Sequence, residues 1–326
     1  MKVTTTMIAP ELRHSGEVFR HLVPYFTPRA FKLSNLLIKP LKGLFSHDMR
    51  VTQVDILRPA GSSVSGDLRL CVYRPLLQPT AQPGMLWIHG GGFALGAPET
   101  ETGFIRKFVV ERGCTVVAPD YCLSTQAPYP AALEDCYLAL VWTQQHATEL
   151  NIRSNQLMVG GDSAGGGLTA AVAIRAQDRG QVAIAYQMPL YPMLDDRMTT
   201  ASMQDNDAPV WNYKSNDNGW KLYLGDLFGT DQVPADAAPA REQDFRGLPP
   251  AFTFVGSIES FRDATVTYMQ KLYAAGVPTE CHVLKGCYHG FDIIAPNSPQ
   301  AQYAHRLMMA SFDYATRHYF AEQPGR

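Results

Sequence analysis

What this chain lacks first is a charge imbalance. Its 326 residues carry 28 Lys and Arg against 30 Asp and Glu, a formal net charge of −2. That balance offers none of the strong positive charge that a nucleic-acid partner normally needs, so no nucleic-acid partner is expected. Also missing is any apolar run of membrane-spanning length, which argues against an integral membrane protein. The opening Met1-Lys2-Val3-Thr4-Thr5-Thr6-Met7 does not lead into the apolar core and small-residue cleavage site of a secretory signal. A soluble cytoplasmic protein is the expectation. Paired-cysteine motifs are absent too: Cys71, Cys114, Cys122, Cys136, Cys281 and Cys287 are scattered with no C-x-x-C spacing, so no metal ribbon or dithiol redox site is expected, only reduced thiols. Finally, there is no internal repeat and no long low-complexity segment, which excludes solenoid and disordered architectures. What is present is an ordinary globular composition, 46% hydrophobic and 18% charged. It suits one large α/β domain with an added cap as well as it suits two independent domains.

The most informative stretch is Gly160-Gly161-Asp162-Ser163-Ala164-Gly165-Gly166-Gly167. Before it, Leu157-Met158-Val159 reads as a buried strand; after it, 168–174 reads as a packed helix. A hydroxyl on the turn between strand and helix, with glycines two residues to either side, is the pattern of a nucleophile elbow. The glycines let backbone approach backbone and leave the serine raised above the sheet.

Around the elbow, strands and helices alternate. Residues 51–56 and 68–72 form an expected hairpin. Then come a strand at 85–88, a helix at 102–112, a strand at 115–118, a helix at 131–150 and a strand at 184–188. The rhythm resumes with a strand at 251–255, a helix at 263–275, a strand at 280–284 and a last helix at 300–319. This is the pattern of a mostly parallel sheet covered on both faces. Two segments break it. Residues 1–47 read as N-terminal cap helices ahead of a catalytic domain at 48–326, and 193–246, which holds Trp211 and Trp220, reads as an insertion. Both are expected to form one lid over the carboxyl ends of the strands. In the second N-terminal helix Arg29, Lys32, Lys39 and Lys42 stand beside leucines. A lipid-surface helix can look like this, but so can any solvated cap helix, and the latter is the expected one.

A serine hydroxyl attacks a carbonyl only with an imidazole to take its proton and an acid to orient that imidazole. On a sheet of this kind the order is serine, acid, histidine. Of the late histidines, His282 lies in a strand, while His305 and His318 lie on the last helix. His289 occupies a loop just past a strand, within reach of the elbow. For the acid, Glu259 is the first carboxylate past the strand at 251–255 and is preferred; Asp263, one helical turn on, is the alternative. Asp162 points away from its neighbour on a tight turn and reads as structural support. The run Gly90-Gly91-Gly92 follows a buried strand, so the amides of Gly91 and Gly92, with that of Ala164 at the helix start, are the expected oxyanion donors. Pocket walls are expected from the N-terminal helices, Phe93, Trp211 and Trp220.

His89-Gly90-Gly91-Gly92-Phe93, Gly161-Asp162-Ser163-Ala164-Gly165 and His289-Gly290-Phe291, in that order, resemble the hormone-sensitive-lipase-like bacterial carboxylesterases of the α/β-hydrolase superfamily. The resemblance spans about residue 51 to the C-terminus. It implies an eight-stranded α/β-hydrolase sheet with a helical cap, hydrolysis of short-chain esters through an acyl-enzyme, a small-molecule ester as substrate, and no metal or organic cofactor. This chain departs from the family pattern twice. Glu259-Ser260-Phe261-Arg262-Asp263 stands where the family carries an Asp-Pro-Leu-Arg-Asp type of segment. Tyr121-Cys122-Leu123-Ser124-Thr125-Gln126 lacks the arginine and glutamate of Tyr-Arg-Leu-Ala-Pro-Glu, so support for the oxyanion loop is expected to differ. A small-molecule receptor on the same fold, or an amidase or peptidase using the same triad, are the competing readings. The oligomeric state is open, a homo-oligomer included.

Overall fold

The computed structural model describes residues 1–78 and 80–325. In chain order the elements are α1 (Arg13–Leu22), α2 (Pro28–Ile38), β1 (Arg50–Leu57), β2 (Asp67–Arg74), β3 (Gln82–Ile88), α3 (Thr102–Arg112), β4 (Thr115–Pro119), α4 (Ala131–Gln145), β5 (Ile152–Asp162), α5 (Ala164–Arg179) and β6 (Tyr186–Leu190). They continue with α6 (Tyr213–Leu224), β7 (Ala251–Gly256), α7 (Arg262–Ala274), β8 (Thr279–Leu284), α8 (Phe291–Ile294) and α9 (Pro299–His318). Helix ends follow local chemistry. The side chains of Thr27, Asn212 and Ser298 cap α2, α6 and α9 by accepting from the amides of Ala30, Ser215 and Ala301. Gly113 and Gly180, both left-handed, close α3 and α5.

The strands form one eight-stranded sheet in the order β1-β2-β4-β3-β5-β6-β7-β8. β1 pairs antiparallel with β2 and β2 with β4; every other pairing is parallel. The central strands are buried on both faces, as parallel strands under helices must be. Along β3 the side chains alternate. Leu86 and Ile88 join a core with Leu133 of α4 and Leu168 of α5, while Met85 and Trp87 join one with Phe108 of α3 and Phe312 of α9.

Differences from expectation are at element ends. The loop after the strand containing His282 carries the short helix α8, β5 begins at Ile152 instead of at 157, and α4 ends at Gln145, ahead of a turn. All six cysteines are free thiols, buried except for Cys281. No helix among the described residues is long and apolar enough to cross a membrane.

The N-terminal segment and the insertion lie against each other. Phe26 N–H donates to Ser215 Oγ at 3.0 Å, Asn218 Nδ2 donates to the Phe26 carbonyl at 2.8 Å, and Asn212 Nδ2 donates to the Pro24 carbonyl at 2.7 Å. Phe26 stacks on Phe31 at 5.3 Å, and both rings pack on Trp211 at 6.0 and 6.2 Å.

Candidate active site

Four strands deliver the residues singled out above from their carboxyl ends, the place where open α/β sheets form a crevice. β3 runs into His89 and the glycine run, β5 into Ser163, β7 into the loop bearing Glu259, and β8 into the loop bearing His289. β3 and β5 are neighbours in register, Ile88 opposite Gly161, so the glycine run and the elbow rise side by side.

Ser163 sits at φ 56°, ψ −118°, a strained conformation for a residue with a side chain. The sharp turn requires the glycines around it. A Cβ on Gly161 would lie 2.3 Å from the Ile88 carbonyl oxygen, and one on Gly165 would lie 2.0 Å from the same atom. The Ser163 amide donates to the Leu190 carbonyl at 2.9 Å, and its own carbonyl accepts from Gly167 and Met193, each at 2.9 Å.

His289 Nε2 lies 2.8 Å from Ser163 Oγ, and Nδ1 lies 3.1 Å from Glu259 Oε1. With the ring proton on Nδ1, donated to the carboxylate, Nε2 is free to accept the serine proton. The second oxygen of Glu259 accepts from the Gly256 amide at 2.8 Å. Glu259 is wholly buried, and burial raises its carboxyl above the ordinary value against the opposing pull of His289. Phe261 and Tyr191 each present a ring edge-on to the imidazole at 5.0 Å, which fixes its plane.

Asp263 is elsewhere. Its Oδ2 accepts from the Ser202 amide at 2.7 Å and its Oδ1 from Arg262 Nε at 2.7 Å, so it ties the insertion to the start of α7 and makes no contact with His289.

Gly91 and Gly92 have φ of 110° and 61°. The Gly91 carbonyl accepts from the amides of Ala94 and Leu95, which turns the loop, and the amides of Gly91, Gly92 and Ala164 donate to no group among the described residues. They are therefore available to an oxyanion. The loop is braced without the family's arginine and glutamate. Tyr121 stacks on His89 at 4.1 Å and donates to its carbonyl at 3.0 Å, Ser124 N–H donates to the Phe93 carbonyl at 2.8 Å, and Asn35 of α2 donates to the Ala94 carbonyl at 2.8 Å.

A pocket of about 160 Å³ opens at Ser163, walled by Phe19, Phe26, Leu95, Val210, Trp211 and Ile294. Of the three aromatic residues expected there, only Trp211 lines it. Phe93 and Trp220 are fully buried behind it, Phe93 stacked on Tyr223 at 3.9 Å and tilted against Trp220 at 5.4 Å. The glycine run turns Phe93 back into the core, at φ 62°, instead of toward the opening.

Sequence reasoning missed Glu101. Its Oε2 accepts from Trp87 Nε1 at 3.0 Å, and it faces Asp162 beneath the elbow, both buried. Burial, and after it the neighbouring Glu101, holds the Asp162 carboxyl well above the ordinary aspartate value, and burial likewise raises Glu101. Asp162 Oδ2 packs on Gly90, where a Cβ would lie 2.6 Å from it. The acid pair thus wedges the elbow against the glycine run. No local signal marked it: Glu99, two residues earlier, reads the same in sequence and pairs instead with Arg69.

The sequence profile described as the alpha/beta hydrolase fold matches residues 85–293. The chain is 34% identical over 247 residues to the esterase LipI of Mycobacterium tuberculosis, covering 75% of each protein. Among solved structures it is similar to a bacterial heroin esterase, with a TM-score of 0.85 at 30% identity over 97% of this chain and 99% of the other. It is also similar to the esterase LipW of Mycobacterium marinum, with a TM-score of 0.83 at 28% identity over 96% and 97% of the two chains. By sequence, by sheet order and by overall similarity, this chain belongs to the α/β-hydrolase-fold family, in its hormone-sensitive-lipase-like branch.

Proposed function

We propose that this protein is a serine carboxylesterase acting on small, apolar, short-chain esters through an acyl-enzyme. The observation that carries the reading is the continuous chain from Ser163 Oγ through His289 to Glu259, at 2.8 and 3.1 Å. Ser163 Oγ attacks the ester carbonyl carbon as its proton passes to His289 Nε2. The carbonyl electrons move onto oxygen, which accepts from the amides of Gly91, Gly92 and Ala164. Collapse of the tetrahedral species expels the alkoxide, which takes the proton from the imidazolium. Water, deprotonated by the same nitrogen, then attacks the acyl carbon and regenerates Ser163. Glu259 keeps the proton of His289 on Nδ1 and stabilises the imidazolium while it exists. Each oxyanion donor is expected to lower the barrier by about 3 to 4 kcal/mol. No metal or organic cofactor has a part in these steps.

The apolar walls of the pocket favour an uncharged substrate, and its volume of about 160 Å³ favours a small acyl group. Residues 1–47 and the insertion at 193–246 serve as the cap of a catalytic domain at 48–326, supplying Phe19, Phe26 and Trp211 to the pocket.

Turnover of p-nitrophenyl acetate by Ser163→Ala is expected to fall by about 10⁴-fold or more, and labelling by a fluorophosphonate to vanish. Retention of most of the turnover would rule out Ser163 as the nucleophile. An unlabelled wild-type protein would leave a receptor, not an enzyme.

A further inference from the structure

The outer face of the N-terminal cap differs from the rest of the surface. On α2, Phe31 and Asn35 point inward, to Trp211 and the Ala94 carbonyl, which leaves Leu33, Leu36 and Leu37 at i, i+3 and i+4 on the opposite face. These three leucines, with Leu22, Leu41 and Leu44, are between 46 and 76% exposed. Isolated exposed leucines are ordinary, but a set of this kind on one short segment calls for a partner. The charge along this segment is of one sign. Residues 18–47 contain no Asp or Glu and carry Arg20, Arg29, Lys32, Lys39 and Lys42, in a chain whose net charge is −2. Lys42 pairs with Asp120 and Arg20 with Glu17, whereas Arg29, Lys32 and Lys39 make no ion pair among the described residues.

We infer that this face docks on an anionic lipid surface. A helix with apolar residues on one side and cations at its flank lies in the headgroup region, leucines in the acyl boundary and long basic side chains reaching the phosphates. A second copy of the chain fits less well. A two-fold pair sets the patch against itself, and Arg29, Lys32 and Lys39 would meet only cations there. Leu22 lies one helical turn beyond Phe19 on α1, and Phe19 lines the pocket. Docking therefore brings the pocket mouth to the lipid interface, where apolar esters concentrate.

The inference rests on the cap surface and not on the proposed ester chemistry, so it is tested with Ser163→Ala protein, in which lipid hydrolysis cannot intrude. Sedimentation with phosphatidylcholine vesicles, with and without phosphatidylglycerol, is the measurement. Binding is expected to be about tenfold or more tighter to the anionic vesicles and to weaken with salt. The pair Leu36→Glu with Leu37→Glu should abolish it. Arg29→Glu with Lys32→Glu and Lys39→Glu should remove the preference for anionic lipid. The same substitutions in a chain retaining Ser163 should leave p-nitrophenyl acetate turnover within about twofold, because surface changes of this kind scarcely disturb folding. Binding that is absent from both vesicle types, or unchanged in the Leu36→Glu, Leu37→Glu protein, would overturn the inference. So would a dimer in sedimentation velocity that the same pair dissociates, since the face would then belong to a second copy.

Discussion

At the scale of single residues, two carboxylates four positions apart have taken different work. Glu259 is buried, holds His289 Nδ1 and accepts from Gly256, whereas Asp263 spends both oxygens on Ser202 and Arg262. Replacing a buried acceptor-only carboxylate by an amide lets the imidazole turn to the wrong tautomer, with its proton toward the serine. Glu259→Gln should therefore lower kcat for p-nitrophenyl acetate by about 10³- to 10⁴-fold with little change in thermal stability. Asp263→Asn should leave kcat within about tenfold, because nothing it touches reaches the imidazole. Equal losses from the two would contradict the division. The placement of Glu259 was legible because it needs only one fact, that it is the first carboxylate beyond a strand end. The acid facing Asp162 was not. Glu101 reaches it from a different strand's loop, and no local pattern encodes which acid a tight turn will face.

At the scale of elements, the sheet rhythm, the elbow and the glycine run were all readable, since strand burial and tight turns leave marks within a few residues. Pocket-lining direction was not. Trp211, Trp220 and Phe93 carry the same apolar signal, and only the loop geometry around Gly92 and the packing of α6 decide that one faces the pocket and two face the core. The turn at Ser163 offers a stringent check of the element-level account. A Cβ on Gly165 would stand 2.0 Å from the oxygen of Ile88, which pairs with Gly161 across β3 and β5, and 2.6 Å from the His89 oxygen, which accepts from Tyr121. Gly165→Ala is thus expected to cost about 1 to 3 kcal/mol in urea unfolding and to lower kcat by tilting the elbow. Gly103, on α3, has open space where its Cβ would be, and Gly103→Ala should instead stabilise by about 0.5 to 1 kcal/mol. A Gly165→Ala protein as stable and active as wild type would mean that the strand and helix are not clamped as described.

At the scale of the whole molecule, the central strands are buried along their length, whereas α1 and α2 bury only Gly16 and Phe31. The sheet has two continuous cores, one on each face. The N-terminal helices rest on the insertion through three backbone-directed hydrogen bonds and the Phe26, Phe31 and Trp211 rings. Local opening follows the least buried contacts, so the cap should open before the sheet does. Phe31 is wholly buried and joins those rings to the core on one face of the sheet, and truncating such a ring in a core costs about 3 to 5 kcal/mol. In Phe31→Ala the loss should appear as cap opening, with hydrogen-exchange protection falling in residues 13–38 while β3 and β5 stay protected. Because the substitution reaches the pocket through its Phe26 and Trp211 walls and not through Ser163, His289 or Glu259, the kinetic effect should fall mainly on uniform binding. KM for p-nitrophenyl butyrate is expected to rise about tenfold with kcat changed less than threefold. If instead protection falls equally in the sheet and KM is unchanged, the cap and sheet form one cooperative unit and the pocket wall does not depend on the N-terminal helices.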